Sequence, residues 1–280
     1  MPAVTLDNRS LISATGDDAG DFLQNIITTD LTGLPSGEAW PGALLTPQGK
    51  ILFEFLVGRI ENGFLLETGA PEADALIKRL TLYRLRAKVI LEKWADGAIT
   101  VVWDQDVPDA GFKDLRFARA GVALARLPSP SGSDAVSLYR TLRFMHGISG
   151  GGEDGVLTDY FPHDLLMDKN SGVGFKKGCY IGQEVVSRIQ HRSTARRRLV
   201  SVAADYSLGE AGGAVLAGSR EIGALIAAEG NKGLAVVRID KAGAALADGE
   251  PISVGQQTVA LTLPEWTGLT FPSEADEAAS

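Results

Sequence analysis

The sequence predicts an α+β fold followed by a small C-terminal β-barrel, on three observations. Strand-like and helix-like stretches are mixed without the regular alternation of a parallel α/β protein. Turn residues repeatedly separate apolar runs, the pattern of antiparallel hairpins. From Arg197 onward short β-rich runs are broken by glycines, with no long helical stripe. The 280 residues suffice for about two average domains. The 33 glycines exceed the ~20 expected at average usage, which foretells many turns and close backbone approaches.

The elements follow in order. Gly16-Asp17-Asp18 precedes Ala19, Phe22, Leu23, Ile26 and Ile27, the apolar stripe of an amphipathic helix with acids at its positive end. Ala39–Leu45 and Ile51–Ile60, joined by Thr46-Pro-Gln-Gly-Lys50, and Phe64–Thr68 after Glu61-Asn62-Gly63 form an antiparallel meander. Pro71 opens a second helix, where its missing N–H costs nothing, with Ala73, Leu76, Ile77 and Leu80 facing the core. Val89–Trp94 and Ile99–Trp103 about Asp96-Gly97 predict a hairpin, and Leu115–Ala118 and Val122–Ala125 further strands. Pro128–Ser133 is a linker by composition, and Asp134–His146 a helix ended by Gly147. The barrel runs are Leu199–Ala203, Ala214–Leu216, Leu234–Arg238 and Thr258–Leu263; Ser273–Ser280 is acidic, small and expected to be disordered.

The net charge of −8 argues against a nucleic-acid or anionic-membrane partner. The average conceals one basic segment: residues 176–198 carry Lys176, Lys177, Arg188, Arg192, Arg196, Arg197 and Arg198 against Glu184 alone. One cysteine, Cys179, excludes an intramolecular disulfide and fits a reducing compartment. No apolar run reaches the ~18–20 residues of a membrane span. The first residues lack the basic n-region and apolar h-region of a signal peptide, so a cytoplasmic protein is expected.

Three motif matches fail on context. Gly147-Ile-Ser149-Gly-Gly151 fits G-x-S-x-G but lacks the strand-to-helix elbow of a nucleophile, and reads as a flexible connector. His146, His163, His191 and Cys179 show no paired spacing for zinc, so no metal is expected. Gly172-Val-Gly174 does not continue to a dinucleotide fingerprint.

The segment Phe175-Lys-Lys-Gly-Cys-Tyr-Ile-Gly-Gln-Glu184-Val-Val-Ser-Arg188 survives. A lone cysteine is often an inert small hydrophobe. Here Gly178 and Gly182 bracket it, a helix begins at Gly182 or a neighbour, and Lys176 and Lys177 stand close, a setting that favours the thiolate. Val185, Val186 and Ile189 form that helix's buried stripe. Gln183 and Glu184 fall in its first turn, where they can equally cap free N–H groups, and Arg188 is placed for an i, i+4 pair with Glu184. The arginines at 188, 192 and 196–198 are either a solvated strip or an anion site; no aromatics are interleaved to stack bases, so direct nucleic-acid binding is disfavoured.

Lys177-Gly-Cys-Tyr-Ile-Gly-Gln-Glu184 resembles the K-G-C-Y-x-G-Q-E signature of the YgfZ family of folate-binding proteins, related to the glycine-cleavage T-protein, an aminomethyltransferase. Phe22–Asp30, Leu45–Lys50, Leu142-Arg143 with Gly147-Ile148, and Leu234–Lys241 resemble further stretches of that family, so the likeness covers nearly the whole chain. It implies two intertwined α+β, ferredoxin-like units over residues 1–196, with sub-boundaries near 46 and 115–135. A barrel over 197–280 would follow, with its tail from about 273, all around a central channel holding tetrahydrofolate or a one-carbon derivative.

The implied role is assembly or repair of iron–sulfur cluster proteins, with any effect on tRNA modification indirect, and with folate and iron–sulfur client or assembly proteins as partners of a monomer. Arg143 would meet the folate's glutamate tail, with Cys179 and Lys177 near the functional face; Tyr180, Gln183, Glu184 and Arg188 complete the expected set. The alternative is a folate-dependent aminomethyltransferase or demethylase of the T-protein type. Phe53-Glu54 stands where the T-protein has an Asp pair, which argues against aminomethyl transfer and leaves Glu54 as the one residue that could carry it. The competing reading of the arginine strip is a partner in RNA modification.

Overall fold

Nine strands from the first 127 residues join one mixed sheet, and six from the last third close a barrel. The structure is a computed structural model and describes residues 2–94, 98–104, 108, 111–154, 157–192 and 195–272. The sheet strands are β1 (Ala3–Leu6), β2 (Arg9–Thr15), β3 (Glu38–Leu45), β4 (Ile51–Ile60), β5 (Gly63–Gly69), β6 (Ile90–Lys93), β7 (Ile99–Trp103), β8 (Phe112–Asp114) and β9 (Leu124–Leu127). Their order is β1-β7-β9-β8-β3-β4-β5-β2-β6. All pairings are antiparallel except β3 with β8, which couples Glu38 to Lys113 and Ala39 to Asp114. That short parallel contact joins β1, β7, β9 and β8 to the other five strands in a single sheet, and position 46 lies in the turn of the β3–β4 hairpin within it.

Helices α1 (Ala19–Gln24) and α2 (Ala73–Arg84) cover one face of the sheet. Phe22, Leu23, Leu76 and Leu80 pack there on Leu44, Phe55, Val57 and Leu66. On a second apolar cluster, α3 (Leu115–Arg119) and α4 (Val136–Met145) bring Phe117 and Tyr139 against Val4, Leu6, Leu11 and Val101. Pro71 sits in a short 3-10 turn leading into α2, as its fixed φ favours. Helix α1 stops at Gln24, short of Ile26 and Ile27; both stay buried, and Ile27 bridges Leu44.

Several expectations are corrected. Val89–Trp94 and Ile99–Trp103 do not pair with each other: β6 pairs β2, and β7 pairs β1 and β9. The expected turn at Asp96-Gly97 lies outside the described residues. Leu115–Ala118 is helical, because Asp114 caps the turn by accepting the Arg116 N–H at 3.0 Å. The stretch Pro128–Ser133 is strapped to the sheet: Ser131 donates its N–H to Thr100 Oγ1 at 2.8 Å, and Gly132 its N–H to Thr5 Oγ1 at 2.9 Å.

The barrel consists of β10 (Arg197–Ala204), β11 (Ala214–Ala217), β12 (Arg220–Glu229), β13 (Lys232–Arg238), β14 (Ile252–Val254) and β15 (Gln257–Thr262), in the closed order β10-β13-β12-β11-β14-β15. Strands β12 and β14 were not expected, nor was α6 (Ile239–Ala247), whose Ala242 and Ala245 pack on Val200, Val202 and Val237. A further cluster ties everything together: Leu45 and Ile51 from the β3–β4 hairpin, Leu165, Leu166 and Met167, Tyr180 and Val186, and Leu199, Leu234 and Val236 of the barrel. The tail Ser273–Ser280 lies outside the described residues.

Candidate functional site

The loop of Cys179 is held from both sides while its tip stays in solvent. Helix α5 (Gln183–His191) starts from Gly182, whose φ of 80° is left-handed. A Cβ there would stand 2.5 Å from the Thr46 carbonyl oxygen and 3.0 Å from Gly49 Cα, so only glycine lets the β3–β4 turn and the loop interlock. Beneath the loop, the buried Lys177 Nζ donates to the carbonyls of Ile27 at 2.8 Å and Thr29 at 2.7 Å. Burial lowers the Lys177 pKa from 10.5 to about 8, with Asp30 pulling the other way. Burial alone would raise Asp30, but bonds from Thr32 and Gln24 and the charge of Lys177 hold it below the usual carboxylate range. The Lys177 ammonium, expected beside the thiol, is thus a fastener on two main-chain carbonyls.

Tyr180 lies with its ring 5.4 Å from Lys177 Nζ. Burial pushes its phenol up to about 12, and its hydroxyl has no partner among the described residues. Between these two anchors, Cys179 is a free, exposed thiol beside the open Gly178. Gln183 is half-buried at the first turn of α5, and Glu184 projects into solvent. Glu184 does not cap the helix; it pairs with Arg188 at 2.7 Å, the i, i+4 contact that the spacing foretold. Val186 is fully buried, whereas Val185 and Ile189 are half-buried. The arginine strip divides. Arg198 bonds Asp168 at 2.6 Å and Arg197 bonds Asp164 at 2.7 Å, so both are struts, while Arg188, Arg192 and Arg196 face solvent.

A second centre, unforeseen from sequence, lies under the glycine-rich turn after α4. Glu67 accepts from Arg9 Nε at 2.9 Å and from Arg126 Nε at 2.6 Å, and these two arginines hold its carboxyl down to about 2 although burial alone would raise it. Asp114 forms a fork with Arg116 at 3.0 and 2.8 Å, and Arg116 also donates to the Ser149 carbonyl at 2.8 Å. Ser149 is buried and donates its hydroxyl to Glu54 Oε1 at 2.9 Å, the opposite of an exposed nucleophile. Glu54 Oε2 has no partner among the described residues, and burial raises the Glu54 pKa against the opposing charge of Arg116. The turn is packed, not a loose connector: Arg9 reaches the Gly151 carbonyl, and a Cβ on Gly150 would overlap the Arg143 guanidinium.

Arg143 is 1% exposed and closes a fork with Asp154, at 3.1 and 2.9 Å, with Glu153 3.5 Å away. The donors expected to meet a glutamate tail are therefore engaged by an internal carboxylate. The sequence did carry a signal for this centre: Glu67 and Arg126 are the single charges of β5 and β9, and Glu54 stands between two phenylalanines in β4, placements that burial tolerates only when the charges are paired. Among the described residues no group of three His, Cys, Asp or Glu is placed to hold a metal ion. No described helix is long and apolar enough to cross a membrane.

This arrangement of mixed sheet and closed barrel is the aminomethyltransferase T fold. The glycine cleavage system aminomethyltransferase T of Bartonella henselae superposes with a TM-score of 0.69 over 94% of this chain and 84% of that one, at 16% sequence identity. Residues 196–269 match the CAF17 C-terminal beta-barrel domain. The human mitochondrial iron–sulfur cluster assembly factor IBA57 is 30% identical over 84% of this chain and 77% of its own length; the mouse protein is 30% identical over 83% and 76%. The chain belongs to the IBA57 family of iron–sulfur cluster assembly factors.

The IBA57 homolog of Chaetomium globosum is 31% identical over 78% of this chain and 60% of its own, and this chain spans between about half and three fifths of the fungal relatives' length. The relatives carry the IBA57 name, so the YgfZ likeness is to a related family. The expectation of a cytoplasmic protein is overturned: these relatives are named as mitochondrial, which points to mitochondria.

Proposed function

We propose that this protein is an accessory factor for the assembly or repair of iron–sulfur clusters, and that it presents Cys179 to a partner protein. The observation that carries the reading is the exposed thiol on a loop pinned by Lys177, Tyr180 and Gly182. Fixed anchors beneath a free tip suit a group that acts on another molecule. One thiolate cannot supply the roughly four protein ligands of a conventional cluster, so the partner brings the remainder. Family membership supports the cluster as cargo. The test replaces the cell's own copy with Cys179→Ser and measures the activity of an iron–sulfur enzyme. Activity should fall while the purified variant melts within about 2 °C of wild type, a shift expected of a surface change below ~0.5 kcal/mol. Full enzyme activity would overturn the reading.

A second reading, tetrahydrofolate or a one-carbon derivative as ligand, is favoured by one observation. Glu54 Oε2 is buried with no partner among the described residues, and since burial raises the Glu54 pKa, its carboxyl in the protonated form would offer a donor to a pterin edge. Arg143 does not fit the part of a tail-binding fork, since Asp154 already fills it. Calorimetric titration with tetrahydrofolate should show binding in wild type and weaker binding in Glu54→Gln; no heat in wild type would remove the ligand. The same titration leaves the Cys179 reading standing or falling on its own test.

A further inference from the structure

The end of α2, the turn after it and the start of β6 hold three of the large apolar side chains most exposed to solvent within nine residues: Leu82 at 63%, Leu85 at 89% and Ile90 at 55%. Leu85 has φ 45° and ψ −103°, a conformation that strains any residue with a Cβ. Ordered bonds impose it. Arg84 donates to the Val89 carbonyl at 3.1 Å, the Ala87 N–H to the Arg84 carbonyl at 2.8 Å, and the Lys88 N–H to Asp18 at 2.7 Å. A strained leucine is thereby held out in water by a fixed turn, and neither the sheet nor the Cys179 loop makes use of it.

The surroundings are basic. Residues 75–94 carry Lys78, Arg79, Arg84, Arg86, Lys88 and Lys93 against Glu92 alone. Lys88 stands 3.6 Å from Asp17, and Lys93 pairs with Asp74 at 3.2 Å. Lys78, Arg79 and Arg86 are exposed and make no ion pair among the described residues. On α2 the spacing puts Lys78 and Arg79 one turn before Leu82, and Leu85 and Arg86 follow beyond the helix end. Next to the tip, a shallow dish of about 390 Å³ lined by Arg84, Arg86, Lys88 and Asp17 has room for a phosphate headgroup.

We propose that this turn docks the protein on an anionic phospholipid surface, with Leu82, Leu85 and Ile90 at the acyl boundary and the cations among the headgroups. Charge complementarity favours it. Asp17 and Asp74 offset Lys88 and Lys93, and the exposed Lys78, Arg79 and Arg86, which have no ion pair among the described residues, are the charges that a surface within the ~8 Å screening length meets. A protein partner is less suited: binding hot spots favour aromatic residues in pockets and under-use leucine, whereas aliphatic tips ringed by lysine and arginine are how interfacial segments meet lipid. No spanning helix is needed for such binding.

The experiment is co-sedimentation of the full chain with vesicles of phosphatidylcholine alone or with about 30% phosphatidylserine, at low and high salt. Wild type should sediment with the anionic vesicles at low salt, at least ~10-fold less with neutral ones, and lose binding as salt rises. Arg79→Gln with Arg86→Gln should cut the partition by about 5-fold per cation removed. Leu85→Gly, which accepts the positive φ without strain and so keeps the fold, should weaken binding at least ~5-fold while the melting temperature holds or rises. Equal binding to neutral vesicles, or no effect of Leu85→Gly, would overturn the proposal. So would self-association of the wild type in sedimentation velocity that Leu85→Gly abolishes, which would assign the patch to a second copy. Salt-sensitive RNA binding lost in the double glutamine variant, without vesicle binding, would overturn it equally.

Discussion

Replacing Lys177 by methionine tests whether the fastener beneath the Cys179 loop carries a buried charge. Lys177 is 9% exposed, its ammonium donates to two carbonyls, and burial lowers its pKa from 10.5 to about 8. Below pH 8 the amine is charged in the folded and unfolded chain alike, and the full penalty of burying the charge is present. As pH climbs from about 8 towards 10.5 the folded chain loses its proton first, the unfolded chain binds more protons, and stability rises with pH. The gap between the two values corresponds to about 3 kcal/mol at the limit. Lys177→Met removes the amine and leaves the Ile27 and Thr29 carbonyls without their donor, a cost that does not titrate. The stability of wild type relative to the variant should therefore grow by about 2–3 kcal/mol between pH 7 and pH 10, read from urea unfolding of both proteins at each pH. Groups that titrate in both proteins cancel in the difference. A difference that stays flat, or shrinks as pH rises, would refute the reasoning.

Three further outcomes follow from the geometry. Gly182→Ala forces a Cβ into the Thr46 carbonyl at a left-handed φ and should lower stability by about 2–3 kcal/mol in urea unfolding. Arg143→Ala strands Asp154 and Glu153 beneath the glycine-rich turn and should cost about 3–5 kcal/mol; a loss below ~1 kcal/mol would mean the fork with Asp154 is not buried. Glu54 has its folded pKa raised, so its contribution is present at pH below the unfolded value of about 4.5 and is lost as pH rises through the higher folded value. Glu54→Gln should accordingly be more stable than wild type at neutral pH, with the advantage vanishing in acid, as thermal melts across pH would show.

The parts legible in sequence were those with local causes. Pro71 starts α2, the Thr46–Lys50 turn makes the β3–β4 hairpin, and the period of Val185, Val186 and Ile189 marks α5. What escaped depends on distant partners. β6 and β7 read as a hairpin because neighbours in sequence usually pair, yet each finds its mate near the N-terminus. β1 and β2 gave no pattern before their partners were known, and α6 is rich in alanine and glycine, with little apolar contrast to reveal it. In the site, the signature loop and the Glu184–Arg188 pair were read from spacing. The inward turn of Lys177, the closure of Arg143 by Asp154 and the Glu67 cluster were not, because each is set by a carboxylate or carbonyl contributed from another part of the chain.

The pairing of β1 with β7 also orders events during synthesis. Ala3–Leu6 leaves the ribosome before Ile99–Trp103, its partner strand among the described residues, which is made nearly a hundred residues later. At ordinary elongation rates of about 5–20 residues per second, that edge waits on the order of ten seconds without a partner. Completion of the sheet therefore waits on the synthesis of β7, and until then β1 is an unpaired edge in need of chaperone cover.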